Sequence, residues 1–211
     1  MRDHWYGDKR DLIKWGTLLE LSRRFRIEHV LQVLFQRPST WGSLNLDGES
    51  VPLPLEVRQH FRNATNIRSL CQTPRVEVIE TEFVDRANYF KIVQESLDAR
   101  SPARTSIVFL DPDTGLQPSG SLRAEHVSEA EVRGVWQRMR PGDVIVLYQH
   151  QTNRTGAPWI EPKQIQLANA LSLDRSAVKV AAAPAIARDV VLLFAARNDS
   201  NGPGVRSQTS N

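Results

Sequence analysis

The sequence predicts an α/β fold: a three-layer, Rossmann-like arrangement around a mostly parallel sheet, with an antiparallel strand pair near the C-terminus. Short apolar runs at residues 106–110 (Ser-Ile-Val-Phe-Leu) and 143–148 (Asp-Val-Ile-Val-Leu-Tyr) suit strands buried on both faces. Helical periodicity separates such runs, which is the pattern of a helix-covered parallel sheet. Each run also ends in a polar cluster: Asp111-Pro112-Asp113-Thr114-Gly115 after the first, Gln149-His150-Gln151-Thr152-Asn153-Arg154 after the second. In open α/β sheets, ligands bind beyond the carboxyl ends of the strands.

Residues 8–25 place Leu12, Trp15, Leu19, Leu21 and Phe25 at helical spacing. A first strand is expected over 27–35, ending at Gln36-Arg37-Pro38. Residues 38–54 are rich in Pro, Gly, Ser and Asn, and read as a long loop without regular structure. A short helix is expected over 55–61, after Pro54. Residues 75–81 alternate as a strand does. A helix over 87–99 sets Phe90, Val93 and Leu97 on one face. Ser128 and Glu131 form a capping box ahead of Val132, Val135, Trp136 and Met139. Pro141-Gly142 stops that helix. A further helix is expected over 162–171, then strands over 177–182 and 189–195 as the antiparallel pair. Residues 1–197 are read as a single catalytic domain and 198–211 as a disordered tail.

Composition narrows the function classes. The 211 residues hold no apolar run near the roughly 20 needed to cross a bilayer, and no signal-peptide core follows Met1. A lone Cys71 excludes an internal disulfide and a cysteine-based zinc site. A cytoplasmic location is expected. Of the 27 basic residues, 22 are Arg and five are Lys, with a net charge of +3. The planar guanidinium matches phosphate oxygens, so the bias suits a DNA partner, although a GC-rich genome favours Arg codons as well.

The expected chemistry lies in three clusters. Asp111 and Asp113 stand where an acid can orient a water, while Pro112 and Gly115 shape the turn; Asp and Gly in a plain turn are the simpler explanation. His150 stands beside them as an acid, base or anion stabiliser, with Tyr148 two residues before it. Asn153, Arg154 and Trp159 lie in a polar and aromatic loop suited to a phosphate and a base. In 6–15 (Tyr-Gly-Asp-Lys-Arg-Asp-Leu-Ile-Lys-Trp), Asp8 and Asp11 are explained by helix capping alone, whereas Lys14 can reach a site. No Gly-x-Gly loop follows the first strand, and no Gly-Lys-Ser/Thr or zinc-deaminase motif is present. No cofactor and no metal are expected.

Two family resemblances follow from these residues. The element order, with Asp-Pro-Asp-Thr-Gly after one strand and residues 142–148 forming the next, resembles the class I methyltransferases. Nucleic-acid amino methyltransferases carry Asp-Pro-Pro-Tyr at that place to hold the target base, and residues 7–15 are similar to the amino-terminal helix of ribosomal-RNA adenine methyltransferases. Asp113-Thr114 replaces the family aromatic, and Val33-Leu34-Phe35-Gln36-Arg37-Pro38 stands where the glycine loop for S-adenosylmethionine belongs. Asp111-Pro112 and His150 are also similar to the two motifs of the uracil-DNA glycosylase superfamily, another three-layer α/β fold. The overall look resembles small phage-defence enzymes that remove modified bases from viral DNA.

The leading expectation is therefore a DNA glycosylase that hydrolyses the N-glycosidic bond of a flipped base, such as a glucosylated hydroxymethylcytosine, in antiphage defence. Asp111, Asp113 and His150 are the expected catalytic residues, with Asp8, Lys14, Tyr148, Asn153, Arg154 and Trp159 binding substrate. The alternatives are a methyltransferase with a divergent cofactor loop and a non-catalytic nucleic-acid-binding module.

Overall fold

Helix α1 (Lys9–Phe25) opens the described chain, and local chemistry sets both its limits. The Asp8 carboxylate caps it by accepting from the backbone N–H groups of Arg10 and Asp11, and Arg26 ends it in the left-handed region at φ 56°. Its buried stripe is Ile13, Trp15, Leu18 and Leu21. The computed structural model describes residues 7–37, 43–57, 64–120, 122–151, 153 and 156–198. Helices α2 (Arg86–Asp98), α3 (Glu129–Arg138) and α4 (Ile160–Leu171) follow along the chain. The capping box of Ser128 and Glu131 starts α3 as expected.

The strands are β1 (His29–Val33), β2 (Ser43–Leu46), β3 (Glu49–Pro52), β4 (Arg75–Val78), β5 (Ile107–Leu110), β6 (Gly115–Leu116), β7 (His126–Val127), β8 (Val144–His150), β9 (Lys179–Ala183) and β10 (Ala187–Ala196). Six of them form the central sheet in the order β4-β1-β5-β8-β10-β9. The neighbours β4, β1, β5 and β8 are parallel. β10 runs antiparallel to both β8 and β9, so β9 again points with the first four strands. Beyond β1 the chain pairs first on one side, at β4, and then on the other, at β5. The carboxyl ends of β1 and β5 thus bound the switch point where such sheets open a crevice.

Each face of the sheet is covered. α2, α3 and α4 pack on one face through Val93, Leu97, Val132, Val135, Trp136 and Leu167. α1 covers the strands from the other, with Leu18 and Leu21 against Val30, Phe109 and Val146, and Ile67 joins the same cluster. Burial of each large apolar side chain of this kind is worth about 1.5–3 kcal/mol. This is the three-layer α/β architecture expected from the alternation. Among the described residues no helix is long and apolar enough to cross a membrane.

Two local expectations need correction. Residues 43–52, read as part of a structureless loop, form a β2–β3 hairpin turned by Asp47 (φ 52°) and Gly48 (φ 91°). A Gly with its neighbour at positive φ is hairpin chemistry, and it outweighed the polar composition. His150, placed beyond its strand, is instead the last residue of β8, which extends past Leu147, the partner of Leu110. Of the helix expected over 55–61, residues 55–57 are helical and the remainder lies outside the described residues, as does 199–211 of the expected tail.

Candidate active site

At the switch point lies a cavity of about 350 Å³. Its walls hold Asp8, Arg10 and Lys14 from the start of α1, Arg37 after β1, the 111–114 loop after β5, Glu125, and Tyr148 and His150 of β8. Period two explains much of this gathering. Ile107 and Phe109 face α1, so Asp111 does too; Val144 and Val146 carry Tyr148 and His150 to the same side. Because Leu110 pairs with Leu147, the next residues on each chain are Asp111 and Tyr148, side by side at one depth.

Asp111 is the buried centre, 1 % exposed. Lys14 Nζ lies 2.9 Å from its Oδ1, and Gln32 Nε2 donates to its Oδ2 at 3.1 Å. Lys14, itself 5 % exposed, also pairs with Asp11 at 3.3 Å and sits 4.5 Å from the centre of the Tyr148 ring. Burial opposes the charge on Lys14, but Asp111 and Asp11 outweigh it and raise its pKa, so it is an ammonium. Burial raises the pKa of Asp11 despite Lys14 beside it. Burial likewise raises that of Tyr148, which keeps its phenol proton.

Two outer groups frame the mouth. Arg10 bonds both Asp8 and Asp189, and His150 Nε2 lies 3.0 Å from the same Asp189 carboxylate. His150 Nδ1 lies 2.9 Å from the carbonyl oxygen of Gln151, so each ring nitrogen faces an oxygen acceptor of the protein and whichever carries the proton donates there. Burial would raise the pKa of Asp189, but the hydrogen bond from Arg10 prevails and lowers it. Across the cavity Arg37 bonds Asp113 and lies 3.8 Å from Glu125. Burial opposes ionisation of Asp113, yet its pKa is lowered by cations against it, the Arg37 guanidinium among them.

Gly115 and Gln149 hold the 111–115 loop in place. Gln149, fully buried, accepts from Leu116 N at 2.9 Å and donates to Thr114 O at 3.0 Å. Gly115 has φ +101°, and a Cβ there would come within 2.4 Å of Gln149 Oε1. Only glycine permits both the backbone conformation and this close approach.

The structure thus gathers Asp8, Lys14, Asp111, Asp113, Tyr148 and His150 at one cavity. It does not bring Asn153 or Trp159 there. Asn153 closes its own loop by donating to Ala157 O, and Trp159 packs against the core between the sheet and α4. Arg154 lies outside the described residues. Sequence reasoning missed Gln32, Arg37, Glu125 and Asp189 and did not select Arg10 or Asp11. A signal existed for two of them. Gln32 is a polar residue inside a strand buried on both faces, and Arg37 follows β1 at the same carboxyl edge as Asp111. Asp189 gave no signal, because only the reversed direction of β10 brings it to His150.

No protein-family model matches this chain, and no curated protein matches it.

Proposed function

We propose that this protein hydrolyses an N-glycosidic bond without a cofactor, acting on a nucleotide flipped out of DNA. The observation that carries the reading is the buried Asp111 carboxylate, ion-paired with Lys14 at the floor of a small switch-point cavity. At about 350 Å³ the cavity stands near the lower end of ligand pockets, a size for one nucleoside. Among the described residues its lining acids, Asp8, Asp111, Asp113 and Glu125, outnumber its lining cations, Arg10, Lys14 and Arg37. That balance suits a neutral base and a developing sugar cation better than a phosphate.

In the reaction, a water oxygen bonds C1′ as the C1′–N bond breaks, and the electron pair of that bond leaves with the base. Asp111 orients the water, accepts its proton and stabilises the oxocarbenium-like sugar. Lys14 keeps the carboxylate ionised. The base takes up a proton from solvent, and the product is an abasic site. On this reading the protein works in the cytoplasm, and modified phage DNA is the first substrate class to try.

The test is incubation with plain and modified phage DNA, without added cofactor or metal, followed by abasic-site detection. Sites that form with the wild type and vanish with folded Asp111→Asn support hydrolysis. Intact glycosidic bonds on every substrate overturn it. Unchanged antiphage activity of Asp111→Asn in cells would favour the non-catalytic binding module.

A second reading, S-adenosylmethionine-dependent methylation, is favoured by the cavity's place, since switch points receive nucleotide cofactors. After β1, however, Phe35 is packed on Phe83 at 4.9 Å between ring centres, and Arg37 is tied to Asp113. These side chains stand where a glycine cradle is needed. S-adenosylmethionine at a hundred times its Kd would add about 2.7 kcal/mol of stability if it bound, which a melting assay reads directly.

A further inference from the structure

Tyr148 brings to the cavity wall a hydroxyl that no described residue uses. It is 4 % exposed, lines the cavity, and stands level with Asp111 in the parallel register. Its ring is held by α1, with the Lys14 ammonium 4.5 Å from the ring centre. Lys14, Asp111 and Arg10 line the same cavity. Among the described residues nothing hydrogen-bonds that hydroxyl. The hydroxyl is not sealed in the core but opens on the cavity, where a bound ligand is a natural acceptor. His150, the donor expected from the sequence, has its nitrogens engaged by Asp189 and Gln151.

We infer that the Tyr148 hydroxyl, in place of the His150 imidazole, donates the hydrogen bond that holds the departing base. The inference rests on the glycosidic reading above and names the group that recognises the leaving base. As the C1′–N bond breaks, its electron pair collects on a nitrogen or oxygen acceptor of the base, and the Tyr148 O–H points to that acceptor. The phenol keeps its proton throughout. It contributes a hydrogen bond to a developing anion on the cavity wall beside Asp111, and the base takes its final proton from solvent. Nothing in the step needs an oxidant or a second substrate. The same donor selects bases that present an acceptor at that edge.

The experiment compares wild type and Tyr148→Phe on DNA substrates whose target bases differ in the acidity of the departing base. Removing one such donor costs about 10²–10³-fold in rate. The expected result is a loss in that range for the poorest leaving base, a much smaller loss for the best, and a melting curve close to wild type. Equal rates for the two proteins would overturn the inference while leaving glycosidic hydrolysis standing. So would a loss that is the same for every leaving base, which marks a structural role. A wild type that makes no abasic site overturns the hydrolytic reading, and this inference with it. If Tyr148→Phe fails to fold, a fluorinated tyrosine at position 148 keeps the shape and changes only the donor strength. The rate must then follow ring acidity most steeply for the poorest leaving base.

Discussion

Lys14 and Asp111 are 97 residues apart in the chain, yet Lys14 Nζ lies 2.9 Å from Asp111 Oδ1 and 3.3 Å from Oδ2. Both side chains are almost wholly buried, and although Asp11 at 3.3 Å shares the ammonium, Lys14 is the cation that compensates Asp111. The pair ties α1 to the carboxyl edge of β5, and the cavity opens above it. Removing one partner strands the other. Lys14→Met is expected to cost about 3–5 kcal/mol of stability in urea denaturation. The double variant Lys14→Met, Asp111→Leu should recover much of that loss, and a purely additive cycle would contradict the coupling.

Gly115→Ala is expected to cost at least about 2 kcal/mol, because a Cβ meets Gln149 Oε1 at 2.4 Å on a backbone with φ +101°. Activity should fall with it, since Gln149 positions the loop that carries Asp111 and Asp113. A melting temperature equal to wild type would show that the loop can shift at no cost.

Tyr89→Phe should stabilise the protein. The Tyr89 ring is fully buried among Phe35, Phe83 and Phe90, and its hydroxyl has no hydrogen-bond partner among the described residues. An unsatisfied buried hydroxyl costs about 1–3 kcal/mol, so its removal should raise the urea midpoint. A lower midpoint would reveal a bound water beneath the ring.

Asn153→Ala should leave the rate of base release unchanged, because among the described residues Asn153 bonds Gln151 and Ala157 within its own loop and nothing at the cavity. A tenfold loss in the abasic-site assay would mean that this loop folds over the substrate.

Stability should fall steeply at alkaline pH. Burial raises the pKa values of Tyr89 and Tyr148 in the folded state, whereas the unfolded tyrosines ionise near 10.0. The unfolded chain therefore loses these protons first, and stability drops above that value. Although burial lowers the pKa of Lys14, its carboxylate neighbours raise it above the ordinary 10.5. Its contribution is complete below that value and is lost as the pH climbs toward the raised one. All three slopes share one sign, so the unfolding free energy should be smaller at about pH 11 than at about pH 8. Equal values would contradict this burial.

Much of the framework was legible because the relevant forces are local. The 3.6 and 2.0 periods, the Ser128–Glu131 capping box and the Pro141-Gly142 stop each act within a few residues, and each is present as read. The carboxyl-edge rule found Asp111 and Asp113, and the same period carried Tyr148 and His150 to their side. The hairpin at 43–52 escaped because loop composition was weighed above the Asp47-Gly48 turn.

The partners of these residues were not legible. Whether His150 is a free base or a ring held at both nitrogens depends on Asp189, which arrives only because β10 runs backwards beside β8. Whether Lys14 is a surface lysine or a buried ammonium depends on α1 lying across the sheet over Asp111. The sequence by itself determined the elements and the edge at which the polar residues collect, since periodicity and capping are short-range. Only the tertiary structure decided which charges meet and which hydroxyls lack a partner among the described residues. Those pairings are set by strand order and helix placement, which join residues that have no local reason to know of one another.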